Sequence, residues 1–335
     1  MPIPFILGAA AVGAGLFGAK KAYDAHETNE RAKWINRRAE NSADGAKAKL
    51  SNSREACQKS LESLGSAKLA VLNEGIMPFV RSFKKIHHID LRNSEGLEEL
   101  SKFNITKDEL TSMEEMGSLA ESMVNGAVGG VAAGALAAIG AYGAATTFGV
   151  ASTGAAIAGL SGVAATNATL AFLGGGSLAA GGLGIAGGAA VLGGLVAGPA
   201  LAVMGLVLNS NAEENLENAK ANRAEAEKIV AQCEAACTMC DTIKKRCDLF
   251  TKALNKLKSQ LIAAVATVDE IVSHYEDDSG KADFRKFNQD EQSSLAAACS
   301  LAKSVKSFLD TPLLKENGEL TPESETMAKT CDQIA

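Results

Sequence analysis

The chain has 335 residues, enough for two or three structural units, with 33 Lys and Arg against 39 Asp and Glu for a net charge of −6. That balance gives no general reason to bind nucleic acid, and seven cysteines, an odd number, speak against a disulfide framework and for a reducing compartment. Only 4% of residues are aromatic and six are proline, while alanine abounds, so the composition favours an all-α chain.

Residues 2–19 (PIPFILGAAAVGAGLFGA) are apolar, with Lys20 and Lys21 directly after them. No basic segment comes first, so this stretch is read as a retained membrane-contacting helix, with burial in a protein core as the alternative. Arg31, Lys33, Trp34, Arg37 and Arg38 follow. A Trp among basic residues fits a membrane interface, with Lys20, Lys21 and Trp34 at the headgroup level, and fits a solvated helix face equally.

Leu50, Cys57, Leu61, Leu64 and Val71 recur at steps of three, four or seven, the spacing of an amphipathic helix that packs on another. Gly75 and Pro78 are expected to interrupt it. Next comes RSFKKIHHI, the densest basic and aromatic cluster. Arg81, Lys84, Lys85, His87 and His88 are candidates to hold a phosphate-bearing ligand or anionic headgroups, against a solvated basic face. On a helix the two adjacent histidines point to different faces, which makes a poor metal pair. Thr106 and Glu109 form a capping-box pattern at the start of an acidic helical region.

Between Ser122 and Ala212 lie 91 residues without one Lys, Arg, Asp, Glu or His, and 22 of the 33 glycines. Gly126, Gly130 and Gly134 are four apart, as are Gly184 and Gly188, and Gly194 and Gly198. Small residues at i and i+4 make a groove in which helix backbones approach closely. The reading is a glycine-zipper hairpin or bundle in a membrane; the alternative is a Gly/Ala-rich segment buried in a soluble oligomer. Ala and Gly contribute little to insertion, and only Val191 to Leu208 (VLGGLVAGPALAVMGLVL) is strongly apolar.

After this stretch, apolar residues step by four and three from Ile229 through Cys233, Ala236, Cys240, Ile243, Cys247, Phe250, Leu254, Leu257, Leu261, Ala264, Val268 and Ile271 to Tyr275. A 3.5-residue period predicts one long helix with a heptad seam, packed on another subunit or on the Leu50–Leu72 helix of its own chain. Further helices are expected over about Asn288 to Leu309 and from Pro322.

CEAACTMC sets Cys233, Cys237 and Cys240 at the C-x3-C-x2-C spacing of some iron–sulfur sites, but inside the heptad helix these cysteines read as packing residues. There is no Walker motif, and the glycine runs follow no strand, so no cofactor, metal or enzyme activity is assigned.

Ala165 to Val203 (ATNATLAFLGGGSLAAGGLGIAGGAAVLGGLVAGPALAV) resembles a Gly/Ala-rich block of bacterial and phage-associated proteins. The arrangement of an apolar core between helical arms is similar to the channel effectors of anti-phage defence such as those of the Hailong systems. The resemblance implies a homo-oligomeric channel controlled by a nucleotide or nucleic-acid signal from a companion enzyme.

The expected organisation is an N-terminal apolar helix (1–21), an amphipathic arm (22–121), a membrane or pore segment (122–210), a long coiled-coil helix (211–280) and C-terminal helices (281–335). The expected function is a regulated pore that depolarises the bacterial inner membrane, touching lipid, with its arms in the cytoplasm. The alternative is a soluble oligomeric scaffold or interaction protein with a buried glycine-rich hairpin.

Overall fold

The computed structural model describes residues 5–89, 105–126, 133–141, 212–315 and 319–334, and within them the protein is all-α. Helix α1 (Phe5–Val71) passes through a π-helical turn at Leu72–Ile76 into α2 (Met77–Lys84). Strand β1 (Ile86–His87) follows, then α3 (Lys107–Gly126), α4 (Ala133–Ala141) and α5 (Ala212–Tyr275). Strand β2 (Ala282–Asp283) leads through a 3-10 turn at Phe284–Lys286 to α6 (Gln289–Asp310) and α7 (Pro322–Ile334). The two short strands pair in parallel, Ile86 opposite Ala282 and His87 opposite Asp283.

The chain divides into two compact units, Met1–Arg54 with Gly198–Met239, and Glu55–Ala197 with Cys240–Ala335. In the first, α1 and α5 face each other along small residues. Ala39 and Ala43 pack on Ala226, and Leu50 packs on Cys233 and Cys237. Asn215 Nδ2 donates to Asn29 Oδ1 at 2.9 Å and Asn222 Nδ2 to Asn36 Oδ1 at 3.1 Å. Partners rise together in number, so the helices run parallel here. Alanine methyls bury little apolar area, whereas a buried Asn must find a partner. The two Asn pairs, one heptad apart, therefore fix the register.

The second unit has the larger core. Leu64, Val71, Ile76, Phe79, Ile243, Phe250, Leu261, Val268, Leu295 and Phe308 are all buried, with Phe250 edge-on to Phe308 at 5.8 Å. Gly75 and Pro78 do not stop the helix. Pro78 lacks an N–H and crowds the carbonyl four residues back; the wider turn relieves this, Met77 N–H reaching back five residues to the Leu72 carbonyl. Gly75 lets α5 approach, since a Cβ there would lie 3.0 Å from Leu261 Cδ2.

Helix α4 comes from the charge-free stretch and is buried by its own chain, with Ala137, Ile139 and Ala141 at 2% exposure or less. Its last carbonyl, of Ala141, accepts from the backbone N–H groups of Leu313 and Leu314 at 2.8 and 2.9 Å. The Lys68 ammonium donates to the Gly140 carbonyl at 3.3 Å. The predicted cap of Thr106 with Glu109 forms on α3, and Asn288 with Glu291 makes a second capping box on α6.

No helix among the described residues is long and apolar enough to cross a membrane. This finding overturns the pore reading and the inner-membrane location. Helix α1 is long, but its apolar opening is largely Ala and Gly and it turns charged from Lys20 onward. Helix α3 carries Asp108, Glu109, Glu114, Glu115 and Glu121. Helix α4 is uncharged but has nine residues, about 14 Å of rise where hydrocarbon is about 30 Å thick. Of the zipper glycines, Gly126 ends α3 and Gly134 lies in α4, while Gly130, Gly184, Gly188, Gly194 and Gly198 lie outside the described residues. So do Val191–Leu208 and the block 165–203.

Candidate functional site

The basic cluster spans the end of α2 and strand β1, and its cations meet carboxylates one by one. Arg81 pairs with Glu121 and Lys84 with Glu114, both on α3, and Lys85 Nζ lies 3.4 Å from Glu276 Oε1. Next to them Ser82 donates to Asp269 of α5. These pairs are partly solvated, so each adds little stability, but together they hold α2 against α3 and α5.

The histidines are not on a helix. Helix α2 stops at Lys84, and His88 takes φ of 57°, the one non-glycine among the described residues with a positive φ. That turn sets the two imidazoles edge to face, 4.5 Å apart, instead of on opposite sides. Both then face Asp283 of β2: His87 Nε2 lies 3.9 Å from its Oδ2 and His88 Nδ1 3.5 Å from its Oδ1.

Asp283 is positioned from its own side. Asp277 Oδ1 accepts from Ser279 N–H and Lys281 N–H, and Gly280 at φ of 74° reverses the chain. The returning Ala282 N–H donates to the Lys85 carbonyl at 2.9 Å. Arg285 grips the carboxylate with Nε at 3.0 Å from Oδ1 and Nη2 at 2.6 Å from Oδ2, and its backbone N–H adds a bond at 3.1 Å. These donors, Arg285 above all, hold the Asp283 carboxyl far below the usual range, so it is ionised.

Trp34 is 59% exposed, with the Arg38 guanidinium 5.2 Å above its ring, in a shallow groove that Arg223 and Glu227 complete. Lys20 and Lys21 lie within α1. None of the seven cysteines is in a disulfide, and all are buried. Cys233 and Cys237 pack on Leu50, and Cys57 contacts Cys240, so the CEAACTMC thiols line the seam between two helices. Cys57 is pushed up by its Cys240 neighbour and by burial, and burial pushes Cys247 and Cys299 up to about 12.

Two charged positions that the fold brings to partners belong to no motif. Asp283 stands 195 residues from His88, and no spacing links them. Lys68 did leave a trace: it falls between Leu64 and Val71 at the phase of the apolar stripe, where a step of seven passes over it. Comparison with protein families, curated proteins and solved structures finds no match to the chain.

Proposed function

We propose that this protein is a non-enzymatic, self-associating scaffold or interaction protein whose glycine-rich segment is buried in protein. One observation supports this above the others. Helix α4, the charge-free helix of that segment, spends its small residues on contact with α1, and a lysine and two backbone N–H groups satisfy its last carbonyls. Small residues give backbones close approach in water as well as in lipid.

In this reading the parallel pairing of α1 and α5 forms a coiled-coil arm, with Asn layers that set its register. Its charged flanks and the exposed Trp34–Arg38 pair offer partner contacts, since Trp and Arg are enriched among residues that dominate interfaces. The arrangement of thiols supports packing in preference to catalysis, because a buried thiol with a raised pKa yields little thiolate.

The experiment is fractionation followed by light scattering. The expected result is extraction without detergent and a mass of two or more whole chains. Retention in washed membranes until detergent is added overturns the proposal.

A further inference from the structure

We infer that His87, His88 and Asp283 form a site for one divalent transition-metal ion of the zinc type, pinning strand β1 to strand β2. One ligand atom from each residue lies within 4.8 Å of the other two. Zinc in tetrahedral coordination has bonds of about 2.0–2.1 Å, which places its donors about 3.3–3.4 Å apart. The His88 Nδ1 to Asp283 Oδ1 separation of 3.5 Å is already close to that. His87 Nε2 lies 3.9 Å from the other oxygen, Oδ2, so an ion held by a single carboxylate oxygen needs a side-chain rotation. Two imidazoles and one carboxylate suit zinc, whereas calcium and magnesium want oxygen donors and copper(I) wants sulfur. Three protein ligands leave a fourth position for water.

A further observation points to the same place. His88 adopts a left-handed backbone that L side chains seldom enter. That conformation carries its ring to the side of His87 and Asp283. Strain of this kind persists where surrounding structure enforces it, often at ligand sites.

Arg285 is the competitor. Its guanidinium occupies both Asp283 oxygens and repels a second cation beside them. The side chain is two-thirds exposed, so it can swing into water when an ion arrives. Metal and arginine therefore exchange for one carboxylate, and removing the arginine frees it.

The test is titration of the chelator-stripped full chain with zinc(II), and with cobalt(II) followed by visible absorption. Wild type is expected to take up one equivalent. His88→Gly suits the positive φ and keeps the fold, checked by circular dichroism, yet weakens binding at least about tenfold. Asp283→Asn weakens it likewise, and Arg285→Ala tightens it. The inference fails if wild type binds no ion saturably, or if His88→Gly and Asp283→Asn bind as wild type does. It also fails if Arg285→Ala weakens binding, or if an intense sulfur-to-cobalt band places the ion on the cysteines.

Discussion

Gly65 and Gly140 meet backbone to backbone where α1 crosses α4. A Cβ built on Gly65 would lie 1.9 Å from the Leu136 carbonyl oxygen, and one on Gly140 2.0 Å from the Leu61 carbonyl oxygen. Neither neighbour is the loose end of a side chain, so the contact admits hydrogen alone on both sides. It is a reciprocal glycine crossing between a polar helix and the charge-free segment.

The crossing predicts opposite signs for chemically identical substitutions. Gly65→Ala and Gly140→Ala should each cost at least about 1–3 kcal/mol of unfolding free energy, since main chain must shift. Gly45→Ala, on the exposed face of α1 with nothing within 4 Å of its Cβ, should add about 0.5–1 kcal/mol. Urea denaturation of the three variants decides it. A stable Gly140→Ala protein would mean that α4 does not dock on α1.

Lys68 makes stability depend on alkaline pH. Its side chain is buried, and desolvation lowers its pKa to about 8 from 10.5, partly opposed by nearby Cys247 and Asp310. Between those values the unfolded chain holds the proton and the folded chain does not, so unfolding takes one up. The Lys68 contribution to stability should therefore rise with pH from about 8 to 10.5, by roughly 3 kcal/mol, and lie flat below. Above about 9 the raised thiols of Cys57, Cys247 and Cys299 act in the opposite direction, so the contribution is read as the difference between wild type and Lys68→Met. Lys68→Met should remove that rise. Parallel slopes for wild type and variant between pH 8 and 10.5 would show that Lys68 is solvated.

The asparagine layers predict a trade between stability and register. Asn36→Ala leaves Asn222 without its partner and should cost about 1–3 kcal/mol. Replacing both Asn36 and Asn222 with Leu should recover that loss and more, while permitting other alignments of α1 and α5. Thermal unfolding reads the first effect. Engineered cysteine cross-links between in-register and shifted positions read the second, and a single in-register product from the double variant would show that the asparagines do not set alignment.

The thiols predict silence in the native state. All seven are buried, and burial raises those of Cys247 and Cys299 to about 12. An aromatic disulfide reagent at neutral pH should label none within minutes in the folded protein and all seven in guanidinium. Rapid reaction of Cys233, Cys237 or Cys240 in buffer would mean that α1 and α5 separate there.

Much of the fold was legible because its signals are local. The step of four and three from Ile229 to Tyr275 marks the buried stripe of α5, and Thr106 with Glu109 and Asn288 with Glu291 mark helix starts. Such patterns follow from helix geometry and orphan N–H groups within one turn. The same stripe runs on toward the N-terminus through Asn215, Ala219, Asn222 and Ala226, where Ala and Asn disguise it as polar sequence.

The sequence by itself determined that this chain is helical, where its caps lie and that a long uncharged stretch separates its polar arms. Only the tertiary structure decided that α4 of that stretch turns inward, that each cation of the Arg81–Lys85 cluster has its own carboxylate, and that Asp283 reaches the histidines. The reason is range. Periodicity and capping act over a few residues, whereas the crossing of Gly65 with Gly140 and the grouping of His87, His88 and Asp283 join positions 75 and about 195 residues apart. Those pairings depend on which faces become neighbours once the core has closed, and no single segment carries that information.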